Sequence, residues 1–180
     1  ISYLFPRAHA VAYVMMAFRI AWFKVYHPLA FYAAYFSIRA KAFDLRIMTG
    51  DLKTQLTEFN RIKALDRAAS PKDKDLMSAL EVSMEMYQRG YRFINVDIQH
   101  SEARRFSIKD GALLPPFLAI DSLGETVADA IVEERNERPF TSLKDLQRRC
   151  KVSNTIIDLM KDLKCCGELP EDEQMSLFGA

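Results

Sequence analysis

Residues 9–26 constrain this chain most. Over that stretch only Arg19 and Lys24 carry a charge. The spacing predicts one helix that is apolar on nearly every face, and such a helix is normally buried inside a larger body. Pro28 should break it, and residues 29–39, with Phe31, Tyr32, Tyr35 and Phe36, read as a second, aromatic-rich helix. Nothing later in the sequence offers enough apolar surface to cover both. The expectation is therefore a packing partner upstream of these 180 residues, and a first residue that is Ile rather than Met fits a fragment or a processed chain. A membrane span is not expected, because Arg19, Lys24, His27 and Pro28 interrupt the run below the ~18–20 uncharged residues a span needs. The small-residue cleavage site of a signal peptide is also missing.

Residues 43–49 read as short and irregular. Residues 51–68 should form a polar helix whose stripe of Leu52, Leu56, Phe59 and Ile62 faces the body. Ser70 followed by Pro71 predicts a capped helix start, and Gly90 a helix end. Asp73 and Asp75 at that start read as solvated caps rather than metal ligands. The period changes at Tyr91. Residues 93–98 alternate as a strand does, residues 105–108 and 113–118 suggest further short strands, and Asp110-Gly111 reads as the turn of a hairpin. The fold class expected is mainly α with a small β-sheet.

From Ile120 to Arg135 the sequence reads as a tight turn opening a helix. Gly124 would supply the backbone freedom of the turn, Glu125 would sit in the first helical turn, and Val127, Ala128, Ile131 and Val132 would form one apolar face. An apolar residue, two residues, Leu-Gly and an Ala-rich helix is the pattern of a helix-hairpin-helix unit. Such a hairpin aims successive amide groups at a phosphate; the alternative is an ordinary helical turn with a glycine. Ser142 and Asp145 suggest a capping box. A second unit is expected over residues 147–164, with Cys150-Lys151-Val152-Ser153 as its turn and Ile156, Ile157, Met160 and Leu163 as its buried stripe. That turn has no glycine. Residues 135–164 carry eight Lys or Arg against four Asp or Glu, a surplus suited to a phosphate backbone. The candidate DNA-binding residues are Ser122, Leu123, Gly124, Glu125, Thr126, Arg148, Arg149, Lys151, Ser153 and Asn154.

The net charge of +1 gives no global signal for nucleic acid. Cys150, Cys165 and Cys166 are too few for a disulfide framework and have no zinc spacing, which suits a reduced, cytoplasmic protein. Residues 168–180 are acidic and end in an apolar hook, and are expected to be flexible when unbound.

Several stretches together resemble a family. Phe5-Pro6-Arg7-Ala8-His9-Ala10-Val11-Ala12-Tyr13, Phe23-Lys24-Val25-Tyr26-His27-Pro28-Leu29, Met86-Tyr87-Gln88-Arg89-Gly90-Tyr91, Leu114-Pro115-Pro116-Phe117, Leu123-Gly124-Glu125 and Gln174-Met175-Ser176-Leu177-Phe178 resemble, in order, the C-terminal part of PolC-type bacterial DNA polymerase III alpha subunits. The resemblance implies three regions. Residues 1–69 would end the polymerase fingers, residues 70–167 would bind duplex through tandem helix-hairpin-helix units, and residues 168–180 would carry a sliding-clamp peptide. It implies that Phe5, Arg7, His9 and Tyr13 lie near the incoming dNTP, and that Gln174, Ser176, Leu177 and Phe178 bind the clamp. It implies primer-template DNA as a further partner, and the rest of the polymerase chain as another. Mg2+ would be held by palm carboxylates outside these residues, so no catalytic residue, metal site or cofactor is expected here, and the segment alone should be inactive. Arg7 departs from the lysine of many relatives, and the second turn lacks its glycine. Two other readings stay open: a stand-alone helix-hairpin-helix module of repair or recombination, and a replication interaction scaffold.

Overall fold

The computed structural model describes residues 6–172. Eight helices and one short hairpin follow in order: α1 Arg7–Tyr26, α2 Pro28–Ile38, α3 Leu45–Met48, α4 Leu52–Leu65, α5 Pro71–Gln88, β1 Ser107–Lys109, β2 Ala112–Leu114, α6 Glu125–Glu137, α7 Leu143–Cys150 and α8 Asn154–Asp162. This is the mainly helical class with a small sheet that the sequence predicts.

The first helix is longer than expected. Pro6 takes the capping position, so Arg7 begins the helix instead of preceding it. No residue of α1 is buried, and its large apolar side chains are 50–71% exposed, from Trp22 to Phe18. Its end is tied to α5: Lys24 pairs with Glu85 at 2.8 Å, and Arg89 donates to the Lys24 carbonyl at 2.9 Å. Among the described residues α1 is the one helix long and apolar enough to cross a membrane by length and composition.

Pro28 occupies the first position of α2 rather than the gap before it, where its missing amide costs nothing. The stretch read as irregular contains α3, started by the Asp44 carboxylate accepting from the Ile47 amide at 3.0 Å. The stripe predicted for α4 is half right. Ile62 is buried and Phe59 half-buried, but Leu52 and Leu56 stay exposed, while Gln55 goes inside. Gln55 donates to the Met48 carbonyl at 3.1 Å and accepts from the Ser83 hydroxyl at 2.6 Å. A buried amide satisfied at both ends serves as well as an aliphatic side chain there. Gln55→Ala should therefore cost about 2–3 kcal/mol, since it orphans the Ser83 hydroxyl and leaves a void. A urea midpoint shifted to lower concentration with an unchanged slope is the expected result; an unshifted midpoint would show that the buried amide contributes nothing.

A full capping box starts α5: Asp73 accepts from Ser70 while Ser70 accepts from the Asp73 amide. This helix packs on α4, so the boundary expected after residue 69 does not follow the cores. One core joins α2, α3, α4 and α5 through Tyr32, Phe36, Met48, Ile62, Leu80 and Met86, with Phe93 and Leu113. A second core lies under α6–α8, built from Phe117, Ile120, Leu123, Ile131, Leu146, Ile157 and Met160. Phe43 borders both.

Residues 93–98 are not a strand. Phe93, Val96 and Ile98 are buried, a spacing that breaks the expected alternation after Phe93; the stretch forms a single parallel bridge to Leu113, and the Ile98 amide bonds to the Cys165 carbonyl instead of a ladder. Among the described residues the sheet is the β1–β2 hairpin alone, turned at Asp110 and Gly111, both with positive φ. Pro115 and Pro116 end β2 early, and residues 117–119 form a 3-10 turn.

Candidate nucleic-acid interface

The 3-10 turn Phe117–Ala119 leads into the first hairpin. Its conformation differs from the expectation in one respect. The positive φ, 63°, belongs to Ser122, whereas Gly124 is extended at φ −76° and caps α6. A Cβ on Gly124 would meet nothing within 4 Å. The glycine is therefore not demanded by strain or by packing within the chain. What it does is leave the start of α6 uncovered.

The second hairpin repeats this geometry without a glycine. Lys151 takes the left-handed position at φ 54°, Val152 is buried as Leu123 is, and Ser153 caps α8 at φ −71°, ψ 155°, beside φ −76°, ψ 157° at Gly124. In each hairpin the buried apolar residue anchors the turn, and the extended cap turns the next amides outward. No backbone carbonyl among the described residues accepts the amides of Gly124, Glu125 and Thr126, or of Ser153, Asn154 and Thr155. Ser153 differs from Gly124 in accepting the Ile156 amide at 3.4 Å with its own hydroxyl. Two helix starts, each with three amides that no backbone carbonyl accepts among the described residues and the positive end of a helix dipole, have the chemistry that can hold an anion.

The predicted side chains divide. Ser122, Gly124, Thr126, Lys151, Ser153 and Asn154 are exposed at the two hairpins, and Leu123 lies beneath the first as its anchor. Asn154 accepts from Gln147, which fixes its amide over the second turn. Arg148 is exposed and donates to Asp145 at 2.9 Å. Arg149 points inward. It donates to Glu134 at 2.9 Å and to Asp145 at 3.3 Å, and its guanidinium lies 4.8 Å from the Phe140 ring centroid. It holds α7 to α6 and offers no surface to a ligand.

The basic surplus of residues 135–164 is likewise largely spent inside the protein. Arg135 donates to the carbonyls of Ile98 and Ser101, Arg138 pairs with Asp145, Lys144 with Asp172, and Lys161 with Glu171. Lys151 and Lys164 are left without an ion pair among the described residues, and both stand at left-handed positions after a helix. Residues 170–172, expected to be free, instead run along the start of α7, where the amides of Leu143 and Lys144 donate to the carbonyls of Pro170 and Glu171.

Glu125 is exposed but occupied. Arg104, which the sequence reading did not single out, donates to Glu125 at 2.6 Å and to Asp129 at 3.0 Å. The Asp129 carboxyl is held below the usual range, chiefly by that bond from Arg104. Only contact in three dimensions reveals this, because Arg104 lies 21 residues before Glu125.

Arg7 and His9 are exposed in the first turns of α1, and His9 meets Tyr13 edge-on at 4.5 Å, as an i, i+4 pair should. Phe5 lies outside the described residues, as do Gln174, Ser176, Leu177 and Phe178. Among the described residues no group of three His, Cys, Asp or Glu could hold a metal ion. Cys150, Cys165 and Cys166 are buried free thiols, and burial pushes Cys150 up to about 12.

A family model described as a helix-hairpin-helix motif matches residues 90–174. Relatives named DNA polymerase III PolC-type align along almost the whole chain. The one from Caldanaerobacter subterraneus is 47% identical over 99% of this chain and 13% of its own length. Those from Streptococcus suis and Streptococcus pyogenes are 47% and 45% identical over 99% of this chain and 12% of their own lengths. The chain thus spans about an eighth of the relatives it matches.

Proposed function

We propose that this chain, homologous along nearly all of its length to the C-terminal region of PolC-type DNA polymerase III, is the duplex-gripping end of such a polymerase. The single observation that supports this most is the repetition of one backbone geometry at residues 122–126 and 151–155. Two matched sets of outward amides suit two phosphates of one duplex. Amides and a lysine read the backbone and not the bases, so grip should be independent of sequence. Fluorescence anisotropy with two unrelated duplexes tests this: equal affinities at fixed salt are expected. A strong preference for one base sequence, or no binding to either, would overturn it.

In this reading α1 and α2 close the fingers against the rest of the polymerase chain, which covers the apolar faces that these residues leave open. A stand-alone repair module would leave that surface in water. Arg7, His9 and Tyr13, with Phe5, would lie on the nucleotide side. Arg7 adds a cation to a helix start, and the edge-on ring pair fixes the face beside it. Templated nucleotidyl transfer, with the Mg2+ ions that supply its charge stabilisation, would belong to carboxylates elsewhere in the polymerase. The setting would be the cytoplasm.

The tail would bind the sliding clamp. Leu177 and Phe178 are adjacent large apolar groups, and Gln174 supplies a donor and an acceptor. Truncating an anchor such as Phe178 to Ala should cost on the order of 2–4 kcal/mol of binding. A peptide of residues 168–180 is expected to bind the clamp and its Leu177→Ala, Phe178→Ala variant not to. Equal titrations of the two, or none, would remove the tail from the account.

A further inference from the structure

The first hairpin carries two carboxylates at its helix start where the second carries one. Glu125 and Asp129 stand one turn apart at the start of α6, beside the amides proposed to hold a phosphate. The matching positions of the second hairpin are Asn154 and Asp158. Two uncompensated carboxylates within a Debye length of a phosphate would repel it and cancel much of the attraction of the helix start. Arg104 answers both. Its Nη1 donates to Glu125 Oε2 at 2.6 Å, its Nε to Asp129 Oδ1 at 3.0 Å, and its Nη2 to Asp129 Oδ2. The grip on Asp129 is two-pronged, the geometry that orients a carboxylate best. All three side chains are solvent-accessible, so the trio is worth little to folding stability.

We infer that Arg104 is a positioning residue for duplex binding: it neutralises Glu125 and Asp129 and holds them off the phosphate seat of the first hairpin. The inference rests on the duplex-binding reading above. It places the control of that seat on the loop before β1, outside the hairpin itself.

The test is duplex affinity of the intact polymerase at several salt concentrations. Arg104→Gln is expected to weaken binding roughly three- to tenfold near 0.1 M salt, with the loss shrinking as salt rises. Arg105→Gln removes a neighbouring exposed cation that makes no ion pair among the described residues, and is expected to cost less. Adding Glu125→Gln and Asp129→Asn to Arg104→Gln should restore affinity, a rescue that a merely structural arginine would not show. If Gly124→Val weakens binding and Arg104→Gln does not, the role given to Arg104 is wrong and the hairpin reading stands. The role is also wrong if the triple variant stays as weak as Arg104→Gln. If neither Gly124→Val nor Arg104→Gln weakens binding, both readings fall.

Discussion

Asp145→Asn is expected to destabilise the C-terminal body by about 3 kcal/mol, one of the largest effects of any polar substitution in the chain. Asp145 is 1% exposed. It accepts from Arg138 at 3.0 Å, Arg148 at 2.9 Å, Arg149 at 3.3 Å and the Thr141 amide at 3.3 Å, while its own amide is capped by the Ser142 hydroxyl at 3.0 Å. Removing the charge leaves Arg149, itself nearly enclosed, facing a neutral amide. The loss falls at the low end of the range for a broken buried pair because Arg138 and Arg148 reach water and can be resolvated. The pH dependence has a definite sign. Burial pushes the Asp145 carboxyl up, but the Thr141 amide and the guanidiniums of Arg148 and Arg149 outweigh it and hold the group below its ordinary value. A depressed folded value means that the stabilisation is complete above the unfolded value near 4 and is lost as pH falls through the folded one. The protein should therefore lose melting temperature on acidification below about pH 4, and Asp145→Asn should flatten that loss. An unaltered melting profile for the variant would contradict the role given to this carboxylate.

The second large effect is on binding. Gly124→Val and Lys151→Glu together should weaken duplex affinity roughly a hundredfold near 0.1 M salt, about a factor of ten from each hairpin. A Cβ at Gly124 meets nothing within 4 Å, so the valine is expected to shield the α6 amides with the turn retained. Lys151 is already at a positive φ, and glutamate there changes the charge and leaves the backbone demand as it was. Circular dichroism matching the parent, with affinity reduced, is the expected pair of results. Matching affinity would mean that the hairpins do not carry the grip.

The sequence made the longer helices legible, though not α3, along with both hairpins, because caps and apolar spacing are local signals. What it could not supply depended on partners distant in sequence. Leu123-Gly124 marked the turn but not the residue with positive φ, which is Ser122, since a short polar side chain tolerates that conformation too. The missing glycine of the second turn left its part in phosphate binding open from sequence, and Lys151 and Ser153 rebuild the same backbone geometry. Counting basic residues overstated the free charge, because Arg135 and Arg149 are folded inward against carbonyls, carboxylates and rings. The apolar residues of 93–98 are buried at 93, 96 and 98 without a strand's alternation and carry no ladder, because the carbonyl waiting for Ile98 belongs to Cys165.

The most direct test of the central claim is the salt dependence of duplex affinity for the parent and for the Gly124→Val, Lys151→Glu variant, measured on two duplexes of unrelated sequence. The account predicts a straight fall of log affinity with log salt, a slope near −0.9 for each phosphate engaged, the same line for both duplexes, and a shallower line for the variant. A slope near zero, a line that depends on base sequence, or one that the variant leaves unchanged would contradict it.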